Sequence, residues 1–330
     1  MKDYSPIYKL TPKITNLVYQ IAQDLERINI IREQVLTPYL RRENRIKTIR
    51  SSLYIEANAL SLEQVADVID GKTVVGPVRD IQEVKNAIEA YDALLGCSPY
   101  AVHDLLKEHG LMTRDTVEES GRFRTKGVSV YDGDIAIHVA PPALQVPILV
   151  EQLLEWVEST DLPQVIKSCI FHYEFEFIHP FADGNGRMGR LWQTLLLYQE
   201  NQVFGWLPVE TIIAKRQDEY YAAIQLSTKE NDSAIFAEFM LTLLAEAVSE
   251  FKNNQGVVGR PLGIPLSNTE QAVLAAITSN PYATYDEIAD TIGKTPKTVQ
   301  RTIASLKDRG LVSRAGSDKT GYWAVKEGKI

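Results

Sequence analysis

Cysteine is scarce in this chain of 330 residues. Cys97 and Cys169 are the only two, both in apolar surroundings and neither at metal-ligand spacing. A disulfide framework and a zinc site are therefore not expected; two buried free thiols in a reducing compartment are. Long apolar runs are missing as well, and Met1-Lys-Asp-Tyr leads into no signal-peptide core. The expectation is a cytoplasmic protein without a membrane partner. No G-x-x-x-x-G-K-[ST] occurs, nor a G-x-G-x-x-G after a strand, which excludes a P-loop and a dinucleotide fingerprint. Positive charge is in deficit. A net charge of −8 argues against a general binder of nucleic acid or membrane surfaces. There is no internal repeat and no low-complexity tract.

What remains is an ordinary globular composition, 45% apolar, at a length that suits two or three domains. The charge is uneven. Residues 266–330 hold nine Lys/Arg against seven Asp/Glu, a net +2, which leaves −10 for the rest. Helical spacing dominates. Ile14, Leu17, Val18, Ile21, Leu25 and Ile28 predict a helix to about Val35, ended by Pro38. A helix over Ser51–Asn58, a break to Ser61 and a second helix follow. Further helical patches contain Val84 to Tyr91, then Val102 to Leu106 ending at Gly110, then Ile148–Val157 and Val165–Ile178. Pro208–Ile213 reads as a connector, and Asp218–Leu226 and Phe236–Phe251 as helices. One stretch departs from this rhythm. Val128 and Val130 alternate with polar residues, Asp132-Gly133 is a turn signal, and Ile135, Ile137 and Val139 resume the alternation up to Pro141-Pro142. That predicts a β-hairpin inserted in a helical chain. His103, His109 and His172 lack partner spacing and read as surface or hydrogen-bonded core histidines.

The chemistry gathers in His179-Pro-Phe-Ala-Asp-Gly-Asn-Gly-Arg-Met-Gly-Arg190, followed at once by the apolar Leu191–Tyr198. Glycine punctuation before a good helix former predicts a loop entering a helix N-terminus. Such an end offers unpaired N–H groups and a positive dipole to an anion. Arg187 and Arg190, three apart, share the face of the first turn, and two guanidiniums beside an N–H nest suit a polyphosphate. Asp183 is placed to hold the Mg²⁺ that a nucleotide brings, and His179, fixed by Pro180, to take a proton from an incoming hydroxyl.

At every defined position this stretch resembles the Fic family signature, H-P-F-x-[D/E]-G-N-G-R-x-x-R. A second resemblance lies upstream. Ser52, Glu56, Ala57 and Asn58 match the family's inhibitory [S/T]-x-x-x-E-[G/A]-N. The resemblance implies a mainly α fold, a Fic helical core with an inserted β-hairpin flap. It also implies transfer of AMP from ATP, with Mg²⁺, to a Tyr, Thr or Ser hydroxyl of a target protein or of the chain itself. His179 is then the catalytic base, and Asp183 the metal residue. Nucleotide contacts fall on Glu56, His179, Gly184, Asn185, Gly186, Arg187, Met188, Gly189 and Arg190. Tyr220 or Tyr221 matches the family's adenine-packing tyrosine, and Asn231 its downstream asparagine. Ser52, Glu56 and Asn58 form the inhibitory element, in which Glu56 makes a bidentate pair with Arg190 and takes the place of a γ-phosphate. Val128, Ser129 and Val130 belong to the flap, which aligns an extended target segment by main-chain pairing. Gly121, Arg124 and the Pro pair also fit the flap pattern. Glycine at 186, where Doc-type kinases carry lysine, disfavours phosphate transfer. A homodimer is expected.

A Gly/Pro-rich linker over 253–265 leads to the tail, so the chain divides into an N-terminal helical region (1–100), a catalytic core (101–252), the linker and residues 266–330. The tail reads as helices over Asn268–Thr278, Tyr285–Ile292 and Thr295–Asp308, with Gly310 as a cap and a two-stranded wing to Val325. It resembles a winged helix-turn-helix domain, whose recognition helix would start with Lys297, Thr298, Gln300 and Arg301, the DNA-contacting candidates. Two other readings stand beside AMP transfer: a DNA-binding regulator that uses the core as a sensor, and a de-AMPylase or kinase on the same fold.

Overall fold

The computed structural model describes residues 5–35, 38–132, 135–255, 267–308, 311–315 and 321–325. They fall into two compact units, Met1–Ile30 with Arg42–Glu250, and Ile31–Arg41 with Phe251–Ile330. The N-terminal and core helices read separately from sequence share the first unit. Among the described residues no helix is long and apolar enough to cross a membrane.

Among its described residues the first unit is helical apart from one hairpin. The helices before the expected linker are α1 (Pro12–Val35), α2 (Pro38–Ile55), α3 (Leu62–Ile69), α4 (Val78–Ala93), α5 (Val102–Met112), α6 (Val146–Ser159), α7 (Gln164–Ile178), α8 (Asn185–Glu200), α9 (Val209–Lys215), α10 (Gln217–Glu230) and α11 (Ser233–Gln255); residues 31–35, 38–41 and 251–255 of α1, α2 and α11 count with the second unit. α7 and α8 lie together at the centre. Twelve of the fifteen residues of α7 are buried, so it is surrounded rather than one-sided, as its mostly apolar sequence suggests. Phe171, Phe175, Ile178, Leu191, Trp192 and Leu195 form its core with Ile49 and Leu53 of α2 and Val84 of α4. The Trp192 indole donates to the Pro99 carbonyl at 2.9 Å. Cys97 and Cys169 are buried free thiols, each pushed up to about 12 by burial.

Two expectations are corrected and one is extended. α1 reaches Val35 as expected, and Pro38 also begins α2, because proline lacks the N–H that a first helical turn leaves unpaired in any case. α5 runs past Gly110 to Met112 and stops where Thr113 turns both its N–H and its hydroxyl onto the His109 carbonyl. Pro208–Ile213 is no plain connector: α9 starts at Val209 and buries Ile212 and Ile213. The hairpin is present as β1 (Ser129–Asp132) and β2 (Ile135–Val139), antiparallel, with Ser129 opposite Val139 and a register shift between Val130 and Tyr131. Its turn signal includes Gly133, outside the described residues. β2 runs beside α10.

The second unit holds α12 (Asn268–Ser279), α13 (Tyr285–Ile292), α14 (Pro296–Asp308), β3 (Val312–Ala315) and β4 (Tyr322–Val325). Ser267 with Glu270 and Thr284 with Glu287 form capping boxes that fix two helix starts. Val273, Ile277, Ile288, Val299, Ile303, Leu306 and Trp323 make its core. β3 and β4 pair antiparallel, Val312 opposite Val325, as the two-stranded wing. α11 extends the backbone to Gln255. The rest of the expected linker, and Gly310, lie outside the described residues.

Candidate active site

α7 ends at His179, whose backbone is left-handed (φ 50°, ψ 61°), a conformation that L residues adopt at a cost. Its Nδ1 lies 3.3 Å from the Glu176 carbonyl oxygen, which can only accept, so Nδ1 carries the proton and Nε2 is the nitrogen with a lone pair. The loop behind it is closed by Asn185. Its side-chain oxygen accepts from the Phe181 N–H at 2.8 Å and its amide donates to the Phe181 carbonyl at 2.9 Å. Phe181 is fully buried and stacks on His109, ring centroids 3.7 Å apart. His109 accepts from the Gly121 N–H through Nδ1 and therefore donates through Nε2 to the Asp183 carbonyl, each at 3.0 Å. Burial holds it neutral, with its pKa down at about 4. Gly184 follows at φ 88°, and a Cβ there would meet Thr113 at 2.9 Å, so both conformation and space demand glycine. α8 then starts at Asn185, and no side-chain hydrogen bond from the N-cap Gly184 takes up its first N–H groups.

The two arginines part company. Arg190 is buried and turns toward α2: its Nε donates to Ser52 Oγ (3.2 Å), and its Nη2 to the Ser52 carbonyl (2.9 Å) and to Glu56 Oε1 (2.8 Å). The expected bidentate pair is thus a single contact, because the Nε edge is taken by Ser52. Glu56 sits in the turn after α2, with Ala57 at φ 64°. Its Oε1 occupies the space in which a Cβ at position 186 would stand. Asn58 secures the turn, accepting from the Leu60 N–H and donating to Glu83 Oε2 at 2.9 Å. Arg187 turns the other way, 3.1 Å from Asp183 and 3.4 Å from Glu83, and its buried Nε and Nη1 make no hydrogen bond. Asp183 is half-exposed; it accepts from its neighbour Gly184 N–H and from Arg79.

A cavity of about 210 Å³ opens between these parts. Of the residues expected at a nucleotide, Glu56, His179, Gly186, Arg190, Tyr220 and Tyr221 line it. Asp183, Gly184, Asn185 and Arg187 belong to the loop and helix start beside it, Met188 is buried in the core, and Gly189 backs Glu176 and His172. Tyr220 is buried and its hydroxyl donates to His172 Nε2 at 2.9 Å, while His172 Nδ1 donates to Gln193 at 2.6 Å. His172 is thus the hydrogen-bonded core histidine anticipated, lowered to about 3 by burial. Tyr221 is 40% exposed, which leaves its ring free to meet a ligand. Asn231 does not line the cavity; it caps α10 in a left-handed conformation. Ile224, Gln225 and Thr228 line it instead. Their spacing from Tyr221, i+3, i+4 and i+7, was the signal that could have found them.

Glu176 was also missed. It lines the cavity with Phe177, one carboxyl oxygen 4.0 Å from His179 Nδ1 and the other buried with no hydrogen bond. Burial, then the charge of Glu56, push its pKa up to about 8 against the pull of Arg190. Glu210, buried beneath α2 and bonded to Tyr91, is raised to about 7, again by burial.

Of the flap candidates, Ser129 and Val130 lie in β1 and Val128 just before it, its carbonyl accepting from the Ala140 N–H. In the second unit Lys297, Gln300 and Arg301 are exposed at the start of α14, and Thr298 is half-buried there.

Comparison with known proteins agrees with this geometry. The Fic/DOC family profile matches residues 99–197, and a winged helix-turn-helix DNA-binding profile matches 266–313. The chain is 29% identical over 233 residues to protein adenylyltransferase fic-1 of Caenorhabditis elegans, covering 66% of this chain and 44% of that protein. It is 32% identical over 203 residues to its counterpart in Caenorhabditis briggsae, covering 56% and 37%. It therefore spans less than half the length of these relatives. A crystal structure of a Fic family protein from Desulfovibrio desulfuricans G20 is 40% identical, covers 99% of this chain and all of that one, and superposes with a TM-score of 0.77. The loop at 179–190, the hairpin beside α10 and this end-to-end likeness lead to one conclusion: the chain belongs to the Fic family and carries a winged helix-turn-helix at its C-terminus.

Proposed function

We propose that this protein is a protein adenylyltransferase held off by Glu56. The observation that carries the reading is the Glu56–Arg190 contact over Gly186, in the cavity that His179 also lines. A carboxylate there stands in for an anion at a helix N-terminus. A nucleotide occupies the same cavity with its base against Tyr221 and Ile224 and its phosphates toward α8 and Arg190. The acceptor oxygen attacks the α-phosphorus. His179 Nε2 takes its proton, the bond to the β-phosphate bridging oxygen opens, and pyrophosphate leaves. With Glu56 in place, the phosphates cannot reach Arg190.

Asp183 is a half-exposed carboxylate already shared by Arg79 and Arg187, and no group of three metal-ligating side chains occurs among the described residues. One carboxylate suits a Mg²⁺ brought by the nucleotide; Asp183 would hold it, and the ion would neutralise charge on the leaving group. β1 offers its backbone to an extended target segment. Assembly as a cytoplasmic homodimer belongs to this proposal.

Intact-mass measurement after incubating the Glu56→Gly variant with ATP and Mg²⁺ tests it. An added AMP supports the reading. An added phosphate, or no adduct on any acceptor, overturns it. A second reading, DNA binding by the C-terminal unit, is favoured by the exposed Lys297, Gln300 and Arg301 on α14 and by the winged-helix match. A mobility shift with the full chain decides it.

A further inference from the structure

Arg124 lies outside the cavity, yet it is buried and its guanidinium meets main-chain oxygens only. Nε donates to the His179 carbonyl at 2.7 Å, Nη2 to the Pro141 carbonyl at 2.6 Å and the Ile178 carbonyl at 3.3 Å, and Nη1 to the Lys126 carbonyl at 2.9 Å. Its own backbone N–H donates to the Pro180 carbonyl at 3.0 Å. Four of the five N–H groups of the fork are thereby spent on three chain segments. These are the end of α7 with His179, and the two feet of the hairpin on either side of β1 and β2.

The arrangement is costly. A guanidinium taken out of water ordinarily finds a carboxylate. Here burial lowers its pKa and no neighbouring charge offsets that. The left-handed backbone of His179 turns the last carbonyls of α7 away from any further helical turn, and they need donors. A lysine brings one point charge and cannot span the four oxygens; the planar fork can.

We propose that Arg124 is a positioning residue, which fixes the His179 imidazole and the feet of the flap in one frame so that an acceptor hydroxyl laid on the flap meets Nε2. The inference rests on the site reading above, and one part of its test does not. In the Glu56→Gly background, Arg124→Lys and Arg124→Gln are compared with the parent in the full chain. Nitrogen-15 NMR of labelled histidine reads the His179 tautomer without turnover, its signals assigned by their loss in His179→Ala. ATP affinity and the rate of AMP transfer are measured alongside.

In Arg124→Lys the His179 nitrogens are expected to average between tautomers while His109 and His172 keep theirs. ATP affinity stays unchanged, and kcat falls about a hundredfold, the cost of misplacing a reacting group by roughly an ångström. Unchanged His179 signals overturn the proposal. So does a loss of ATP affinity in step with kcat, or collapse of the His109 and His172 signals too, since either marks a general structural role. If the parent neither binds nor transfers nucleotide, the adenylyltransferase reading falls, and the NMR comparison still decides whether Arg124 holds the imidazole.

Discussion

The motif at 179–190 and the start of α14 each present cations at a helix N-terminus, but they treat them in opposite ways. Arg187 and Arg190 are buried and committed, one to Asp183 and Glu83, the other to Ser52 and Glu56. Lys297 and Arg301 are exposed. Group transfer needs charge fixed before the substrate arrives, since a preorganised dipole or guanidinium need not reorient during the reaction. A phosphate backbone is read by charges that displace counterions, which exposed side chains do well. On this contrast, substitutions in the first region should act steeply and specifically, and those in the second should be graded and salt-dependent.

The largest effect is expected from His179→Ala, which should lower AMP transfer about a thousandfold, within the range for loss of a general base, while ATP still binds. Radiolabelled-ATP transfer and equilibrium binding check it; equal labelling by both proteins would remove His179 from its assigned role. Glu56→Gly comes next. Freeing Arg190 from one charged hydrogen bond should raise transfer on the order of ten- to a hundredfold, read as the initial rate. A loss of activity would show that Glu56 does something other than obstruct.

Lys297→Ala and Arg301→Ala should each reduce the salt slope of DNA binding by about one, with AMP transfer untouched. Fluorescence titration at several salt concentrations measures this. A chain that binds no DNA, or variants that alter transfer, would erase the contrast between the two regions.

The smallest effect concerns Glu176. Its folded pKa, about 8, lies above its ordinary 4.5. Between those values the folded chain holds a proton that the unfolded chain has released, so this group makes stability fall as pH rises, levelling off near 8. Glu176→Gln should flatten stability against pH in that window and leave the variant relatively more stable at its upper end. Urea unfolding across the window would reveal it; parallel curves for the two proteins would refute it.

The loop was legible because its chemistry is contiguous. One helix end, one reversal and one helix start carry base, carboxylate and glycines in order, and the positive φ of Gly184 is where a glycine was written. The hairpin and the winged unit were legible from alternation and from cap and turn residues such as Gly310 and Asp132-Gly133, which are local signals. Glu176 was hidden because an acidic residue in an apolar helix looks the same whether it faces water or a cavity. Arg124 was seen as flap pattern, but its four carbonyl partners lie as far as 55 positions away in sequence. Thr228 was passed over because Asn231 was matched to the family's downstream asparagine, and Asn231 serves as a helix cap.

From residue order alone came the nest of N–H groups, the glycine-punctuated loop and the pairing of a histidine with a helix start, since each depends on bonds within a few neighbours. Local spacing does not say which arginine meets Glu56; the motif resemblance named Arg190, and the packing carries that choice out. Arg187 and Arg190 are alike in type and three positions apart, and α2 on one flank of α8 and α4 on the other set them apart. A guanidinium points wherever packing leaves a carboxylate within reach, and that is a property of helices brought together from distant parts of the chain.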